Sequence, residues 1–185
     1  SDQNKALEYY IHSLDILKEL GDKRGMGTVF NNIGIIYHYK GNYDKSLEYY
    51  NRHLKISEEI GNKLGVSTSL NNSGNVFRDK GNYIQALDYY KRVIAIDEEL
   101  DEQVFICLPL FNIGRINLIQ QNYEKAIVYL EKSFQITNQI KRNPGHDLLH
   151  IQTTLYIAYK CVGNKYDDES CCSLKYFGFR FPHKG

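Results

Sequence analysis

Apolar side chains recur every three or four positions along most of the chain, the spacing that places them on one face of an α-helix. One such face precedes Gly41 and comprises Val29, Phe30, Ile33, Ile36 and Tyr37. Another follows it and comprises Leu47, Tyr50, Leu54 and Ile56. The pattern predicts eight helices, at about residues 2–20, 23–40, 43–60, 63–80, 83–100, 103–120, 123–140 and 147–162.

The breaks between the predicted helices follow a fixed period. The decapeptide that begins at Gly41 returns at Gly81 and at Gln121, and a divergent copy begins at Ser1, so the period is 40 residues. Glycine adopts the left-handed conformation that ends a helix, and the asparagine after it can cap the next helix. A period of this length is typical of proteins built from stacked repeats.

Particular residues recur at fixed positions of this period. The second unit contains Asn32, Ile33, Gly34, Tyr37, Gly41, Tyr43, Ser46, Tyr50 and Leu54. The third contains Asn72, Gly74, Phe77, Gly81, Tyr83, Ala86, Tyr90 and Ile94, and the fourth contains Asn112, Ile113, Gly114, Tyr123, Ala126, Leu130 and Phe134. This pattern resembles the tetratricopeptide repeat, in a long form similar to the arrays of kinesin light chains, spindle-orientation scaffolds and bacterial Rap-type regulators. The resemblance implies an all-α fold, a right-handed superhelical solenoid of antiparallel helix pairs with about four repeats, in which the first helix of each pair lines the concave face.

On this pattern residues 1–165 form the repeat array. Its predicted parts are a half repeat at 1–25, full repeats at 26–65, 66–105 and 106–145, and the start of a last repeat at 146–165. Beyond the array the pattern fails, and residues 166–185 form either a degenerate capping helix or an irregular tail. Because the chain lacks an initiating methionine and begins within a repeat, we expect it to be part of a longer array.

Two departures from the repeat carry structural expectations. Pro109 stands where the earlier repeats have Val29 and Ser69, and we expect it to kink its helix or to delay the start of that helix. The first predicted helix lacks a preceding partner, which leaves four apolar residues partly uncovered: Leu7, Tyr10, Leu14 and Leu17. An uncovered repeat end exposes apolar surface, so one expectation is a homo-oligomer formed through this terminal helix.

The composition argues against several classes of partner. A formal net charge of +1 gives no strong field of the kind that directs a protein to nucleic acid or to a membrane surface. Most of the 16 tyrosines fall at repeat positions, where we expect them to pack between helices and not to stack on bases. No apolar run reaches the length of about 18 residues that a transmembrane helix needs. The four cysteines form neither a disulfide framework nor a CxxC pair, so we expect a cytoplasmic protein.

No group of residues predicts catalysis, a cofactor or a metal. The chain lacks the phosphate-binding, zinc-protease and hydrolase motifs, and its six histidines are scattered among different repeat positions. The set Cys161, Cys171, Cys172 and His183 is spaced unlike a structural zinc site. His146 and His150 lie one helical turn apart, but no third ligand shares their face. The sequence therefore favours a protein without enzymatic activity.

The predicted concave face contains the candidate binding residues. Positions i, i+4 and i+7 of a helix share one face. On successive first helices these positions hold Asn31, Ile35 and His38, then Asn71, Asn75 and Arg78, then Phe111, Arg115 and Leu118. Asparagine can both donate to and accept from a peptide backbone, and arginine can bind a carboxylate through two hydrogen bonds. The next position along, occupied by Asn32, Asn72 and Asn112, is expected to be structural and to bond nearby backbone.

Three functional hypotheses follow. The first is a protein-interaction module whose concave groove binds a peptide or a partner domain, because in similar arrays such a groove holds an extended, often acidic peptide. Its predicted peptide-binding residues are Asn31, His38, Asn71, Asn75, Arg78, Phe111 and Arg115. The alternative for these residues is a merely solvated inner wall. The second hypothesis is a regulatory or sensor segment of a larger signalling protein that carries a cyclase, kinase, phosphatase or transcription regulator. The third is a scaffold that self-assembles through uncapped repeat ends.

Overall fold

The computed structural model describes residues 2–100, 103–139 and 145–163. Its helices are α1 (Asp2–Glu19), α2 (Lys23–Tyr39), α3 (Tyr43–Glu59), α4 (Lys63–Asp79), α5 (Tyr83–Glu99), α6 (Gln103–Ile119), α7 (Tyr123–Gln139) and α8 (Gly145–Gly163). No strand occurs within these three described ranges. The helices lie close to the predicted bounds, so the predicted all-α architecture of successive helix pairs is confirmed.

The chain divides into two compact units, Ser1–Ile96 and Asp97–Gly185. In the first unit α1 packs against α2, α2 against α3, and α3 against α4. In the second unit α6 packs against α7, and α7 against α8. The first helices of neighbouring pairs also touch within each unit, α2 with α4 and α6 with α8. Each unit therefore stacks its helices in chain order.

The connection between α2 and α3 shows how the sequence sets the helix ends. Gly41 has a φ of 71°, in the left-handed region that favours glycine. The N–H groups of Gly41 and Asn42 donate, each at 2.9 Å, to the last carbonyl groups of α2. This pair of bonds is the Schellman arrangement. The side chain of Asn42 then accepts a hydrogen bond from the backbone N–H of Lys45 at 3.3 Å and caps α3. The predicted roles of Gly41 and Asn42 are confirmed.

Paired helices approach closely at a glycine on the first helix. A Cβ atom at Gly34 on α2 would lie only 2.6 Å from the ring of Tyr50 on α3, so a larger residue has no room there. The hydroxyl of Ser46 donates to the carbonyl of Gly34 at 2.9 Å. Burial raises the pKa of Tyr50 to about 12. The same close contact recurs in the later pairs, between Gly74 and Tyr90 and between Gly114 and Leu130.

Pro109 does not delay the start of its helix or interrupt it, so the expected delay is wrong and the expected kink stays a prediction. α6 begins at Gln103, the repeat position at which α2 and α4 also begin, and Pro109 lies inside it. A proline inside a helix removes one backbone hydrogen bond and costs about 3 kcal/mol or more. Ile106, Leu110 and Ile113 are buried on either side of Pro109, and we attribute the continuity of α6 to this packing.

α1 is the least buried helix of the first unit and has no fully buried residue. Its half-buried side chains include the four that the sequence predicted to be partly uncovered, Leu7, Tyr10, Leu14 and Leu17. Its most exposed apolar side chain is Tyr9 at 76%, and Leu20, which directly follows α1, is 73% exposed. Tyr9 occupies the repeat position of Tyr49, which packs against α2. No described helix precedes α1 to cover Tyr9 in the same way.

The predicted C-terminal features lie largely outside the described residues. These features are the capping helix or tail at 166–185 and the side chains of Cys171, Cys172, His183 and His146. α8, which the sequence placed at about residues 147–162, is described from Gly145 to Gly163.

Candidate functional site

The predicted binding residues of the first unit lie on α2 and α4, the first helices of two successive pairs. The side chain of Asn72 on α4 donates to Asn31 on α2 at 2.9 Å. His38 on α2 lies 2.9 Å, from Nε2 to Oδ2, from Asp79 on α4. The two helices are thus joined side by side through polar groups. We call this surface the α2/α4 face, and its residues are Asn31, Ile35, His38, Asn71, Asn72, Asn75, Arg78 and Asp79.

Two asparagines of the face differ in whether their side-chain oxygen has a hydrogen-bond donor. Asn31 is half-buried and accepts a bond from Asn72, so the partner of Asn72 is a side chain and not the backbone that the sequence predicted. Asn71 Oδ1 is buried and accepts no hydrogen bond within the described part of the chain. Leaving a buried acceptor unpaired costs about 1–3 kcal/mol. The carboxamide of Asn71 is therefore a polar group of this face whose burial is not compensated within the described part of the chain.

Asp79 links two of the predicted binding residues. Its Oδ1 accepts a hydrogen bond from Arg78 Nε at 2.9 Å, and its Oδ2 lies 2.9 Å from His38 Nε2. Burial alone would raise the pKa of Asp79, but the hydrogen bonds from His38 and Arg78, together with their charges, lower it below its usual value. The carboxylate is therefore ionised at neutral pH, and His38 Nε2 is the donor in its contact.

Arg78 is also held by neutral groups. Its Nη1 donates to Asn75 Oδ1 at 3.2 Å, and the hydroxyl of Tyr90 on α5 donates to the same oxygen at 2.8 Å. The side chain of Arg78 is only 18% exposed, whereas that of Asp79 is 34% exposed. The guanidinium is thus less accessible than the carboxylate that balances its charge. A ligand carboxylate that binds Arg78 Nε has to compete with Asp79.

The predicted residues of the second unit form a pair on α6. The guanidinium carbon of Arg115 lies 5.6 Å from the centroid of the Phe111 ring, a cation–π distance. Leu118, which the helical spacing placed on the same face, is 1% exposed and belongs to a core of α6, α7 and α8, so that placement is wrong. Leu108 is 45% exposed one turn before Phe111. The pair of Phe111 and Arg115 therefore lies next to an exposed apolar side chain.

Sequence reasoning missed two residues of the hydrogen-bond network at the α2/α4 face. Asp79 replaces Tyr39 and Ile119 at its repeat position, so its departure from the repeat was visible in the sequence. Its bond to His38, 41 residues earlier, depends on the contact between α2 and α4, which helical spacing does not give. Tyr90 was assigned to packing alone, although its hydroxyl also holds Asn75.

The tyrosines of the first unit mostly pack between helices, as predicted. The ring of Tyr49 stacks on Tyr37 with centroids 5.6 Å apart and lies 6.1 Å from Phe30. The guanidinium of Arg52 lies 5.1 Å from the Tyr49 ring. These rings contact side chains of their own repeat, which leaves Tyr9 as the exposed exception at this position.

The described ranges contain neither a metal-binding cluster nor a membrane-spanning helix. Within them, no three His, Cys, Asp or Glu side chains come close enough together to hold a metal ion. None of the described helices combines the length and the apolar character that crossing a membrane requires.

Comparison with known families identifies the class of protein. A tetratricopeptide-repeat model matches residues 2–59 and 25–99, and a second tetratricopeptide-repeat model matches residues 109–140. The chain therefore belongs to the tetratricopeptide-repeat family and has its helical-repeat solenoid fold. Repeats of this family generally mediate protein–protein interactions and are generally non-catalytic modules. No curated protein sequence matches the chain.

Several solved structures have the same fold. BtubC (BKLC) from P. vanneervenii has a TM-score of 0.79 and 23% identity over 100% of this chain and 78% of that chain. A signal transduction ATPase with numerous domains (STAND) and a tetratricopeptide repeat sensor, from Pyrococcus horikoshii, has a TM-score of 0.72 and 19% identity over 94% of this chain and 26% of that chain. A Podosopora anserina putative kinesin light chain with nearly identical TPR-like repeats has a TM-score of 0.66 and 16% identity over 94% and 84%. At these identities the likeness shows the fold.

Proposed function

We propose that this chain is a protein-interaction module that binds an extended peptide, or an extended segment of a partner protein, on the α2/α4 face. The observation that supports it is the set of half-buried amide and charged side chains shared between two adjacent first helices. Such amides can meet both the N–H and the C=O groups of a peptide backbone. Asn71 Oδ1, a buried acceptor with no partner among the described residues, would gain one if its carboxamide turned outward to meet such a backbone donor.

The second unit carries its own candidate contact, the pair on α6. Phe111 offers an aromatic surface, and Arg115 stacks on it with its guanidinium 5.6 Å from the ring centroid. These groups suit an apolar or an acidic side chain of the partner. The proposed peptide-binding residues are therefore Asn31, His38, Asn71, Asn75 and Arg78 in the first unit and, as a separate contact, Phe111 and Arg115 in the second unit.

A peptide-binding experiment tests the proposed face directly. Peptides are selected from a random display library with the intact chain as bait, and their Kd values are measured by fluorescence anisotropy. Each net hydrogen bond contributes about 1 kcal/mol, so we expect micromolar affinity and a loss of about 30-fold in the Asn31→Ala, Asn71→Ala double variant. The helical circular dichroism should be unchanged.

Asn51 provides the matched control for that experiment. It carries the same carboxamide but lies exposed on α3, the second helix of its pair. Asn51→Ala should bind the selected peptides as tightly as the unmodified chain. Unaltered affinity in the double variant, or an equal loss in Asn51→Ala, would contradict binding at the α2/α4 face.

The alternative function is a sensor segment of a larger signalling protein. It is supported by the likeness to a STAND protein that is described as having a tetratricopeptide repeat sensor. On this alternative the effector is a cyclase, kinase, phosphatase or transcription regulator encoded in the same open reading frame. Sequencing the complete gene tests it, since a frame without an effector domain would rule it out.

Self-association through α1 is a further candidate for the partner. Tyr9 on α1 and Leu20 directly after it are 76% and 73% exposed, and Ile11 and Ile16 on α1 are also exposed. Covering this apolar surface in a second copy would be favourable. Light scattering should then show a mass that rises with concentration, and Tyr9→Ser with Leu20→Ser should return it to the monomer value. A constant monomer mass in the unmodified chain would exclude this partner.

The proposed setting is the cytoplasm, with protein partners and without nucleic acid. The proposed domain division is a repeat array over residues 1–165, with repeat boundaries after residues 25, 65, 105 and 145, followed by a separate segment at 166–185. Localisation of a fluorescent fusion of the full-length protein tests the first of these statements, and an extracellular signal would contradict it.

A further inference from the structure

Asp79 occupies the anion-binding groups of the α2/α4 face. Its two oxygens are bound at 2.9 Å each by Arg78 Nε and by His38 Nε2, which belong to successive first helices. Charge-assisted hydrogen bonds to both oxygens are the usual way in which a protein recognises a carboxylate. Here the carboxylate that is recognised belongs to the chain itself.

We propose that Arg78 and His38 form a carboxylate-binding subsite, and that Asp79 is its internal occupant, which a carboxylate of the bound peptide displaces. This inference rests on the proposed peptide binding at the α2/α4 face. It deepens that function by naming the residue of this chain that competes with an acidic ligand.

The surroundings of Asp79 favour its displacement. Its side chain is 34% exposed, compared with 18% for Arg78 and 22% for His38, so the carboxylate is the most accessible of the three groups. It is also the last residue of α4, where the helix gives way to a turn. The carboxylate can therefore turn towards solvent while the two donors remain in place.

The cationic part of the subsite has support that does not involve Asp79. Arg78 Nη1 donates to Asn75 Oδ1 at 3.2 Å, and this oxygen is held in turn by the hydroxyl of Tyr90 at 2.8 Å. Because Asn75 and Tyr90 stay when Asp79 leaves, the guanidinium is already oriented for an incoming carboxylate. A preorganised group of this kind binds with a smaller loss of conformational freedom.

Removal of the internal carboxylate should therefore strengthen the binding of an acidic ligand. We expect Asp79→Asn to bind an acidic probe about tenfold more tightly, since hydrogen bonds to charged groups are among the stronger ones. A residue that only braced α2 against α4 would behave differently, because its removal would leave the affinity unchanged or lower it.

The test uses the intact chain and three labelled peptides. N-acetyl-hexaglutamate amide carries side-chain carboxylates, N-acetyl-hexaglutamine amide carries none, and N-acetyl-hexaglutamine with a free C-terminus carries one terminal carboxylate. Glu48→Gln is the matched control, because it removes a carboxylate that is paired with Arg52 at 2.6 Å on α3. Asp79→Asn should bind a carboxylate-bearing peptide about tenfold more tightly than the unmodified chain does, and the neutral peptide equally tightly. Glu48→Gln should bind all three peptides as the unmodified chain does. The peptide that shows the gain identifies the side-chain or the terminal carboxylate.

Several outcomes overturn the subsite. A gain that Glu48→Gln shares, or that extends to the neutral peptide, would show a general charge effect. No gain in a folded Asp79→Asn variant would show that Asp79 only braces the helices. If that variant fails to fold, the subsite is tested in the unmodified chain by the NMR signal of the Arg78 Nε–H group. This signal is assigned by its loss in Arg78→Gln. The signal should shift at saturation with hexaglutamate, and a signal that does not move overturns the subsite.

The experiments distinguish a wrong subsite proposal from a wrong proposed function. Library-selected peptides whose Kd depends on Asn31 and Asn71 but not on Asp79 would leave peptide binding at the α2/α4 face intact and remove only the internal competitor. Selected peptides whose Kd is insensitive to Asn31 and Asn71 would remove the proposed function itself.

Discussion

Gln121 shows how a single residue can depart from the repeat without changing the backbone. Among the described non-glycine residues it alone has a positive φ, 63°, at the position held by Gly41 and Gly81. The bonds of the turn persist: its N–H donates to Leu118 O at 3.1 Å, and the N–H of Asn122 donates to Asn117 O at 2.8 Å. These bonds hold a side-chain-bearing residue in a conformation that it does not prefer.

Replacing Gln121 with glycine should stabilise the protein. A residue with a Cβ atom in the left-handed region is disfavoured by about 1–2 kcal/mol, and the greater freedom of glycine in the unfolded chain offsets part of this. We expect Gln121→Gly to raise the free energy of unfolding by about 0.5–1 kcal/mol, measured by urea unfolding followed by circular dichroism. The reverse change Gly81→Gln should lower it by a similar amount. A loss of stability in Gln121→Gly would show that the side chain makes a compensating contact.

Helix ends were predictable from sequence because they are local. Gly41 and Asn42 meet their partners within a few residues along the chain, so residue type is sufficient to assign them. The conformation of Gln121 was not predictable in this way, since residue preference argues against it and the turn bonds override that preference. The bond from His38 to Asp79 was not predictable either, because it joins residues 41 positions apart.

At the scale of elements, His53 lies between three helices of the first unit. It sits on α3 with its Nδ1 2.8 Å from Ser69 Oγ on α4. On its other side a Cβ atom at Gly27 on α2 would lie 3.2 Å from its ring. Both neighbours are uncharged. Burial lowers the pKa of His53 below its usual value, because the interior disfavours the charged imidazolium.

This shift of pKa makes the stability of the helix stack depend on pH. Unfolded His53 takes up a proton near pH 6.5, whereas folded His53 does so only at lower pH. The unfolded state therefore binds more protons as the pH falls below about 6.5, and stability decreases towards the lower folded pKa. His53→Val, which copies Val93 of the next repeat, should reduce this loss between pH 7 and pH 5 in thermal unfolding followed by circular dichroism. An unchanged difference between the two pH values would contradict the assignment to His53.

The behaviour of α6 shows where helical spacing stops being informative. Positions i and i+7 share a face of any helix, but neighbouring helices decide whether that face is solvent or core. Leu118 was predicted to line a groove and is buried against α7 and α8 instead. Pro109 was expected to delay the start of α6 because proline disfavours helix interiors, yet α6 is continuous through it and buried residues lie on either side. Neither helical spacing nor residue preference shows how neighbouring helices pack, and that packing decides both positions.

At the scale of the whole molecule, the repeat made the family predictable. A strict period of 40 residues, with glycine and tyrosine at matching positions, was sufficient to indicate a helical-repeat fold, and the family models confirm it. The candidate site was only partly predictable. The sequence placed Asn75 and Arg78 on one face, but it could not show that Asp79 balances Arg78.

The charges of the α2/α4 face are balanced, which affects how strongly it distinguishes acidic from neutral peptides. Arg78 and His38 face Asp79 within one network, so the resting face does not present an unbalanced positive charge. Discrimination between acidic and neutral peptides in the unmodified chain should therefore be modest, and it should increase when Asp79 is neutralised. Backbone contacts to Asn31 and Asn71 are expected to supply the affinity that all peptides share.

The most direct test of the account is to observe the amide groups of the face when a peptide binds. In ¹⁵N-labelled intact chain, the side-chain NH₂ signals of Asn31, Asn71 and Asn75 are followed by NMR during titration with a library-selected peptide. If the peptide binds at the α2/α4 face, these signals shift to saturation with the Kd measured by anisotropy, while the NH₂ signal of Asn51 on α3 stays in place. Shifts at Asn51 with unmoved signals at Asn31, Asn71 and Asn75 would place the peptide elsewhere and contradict binding at this face.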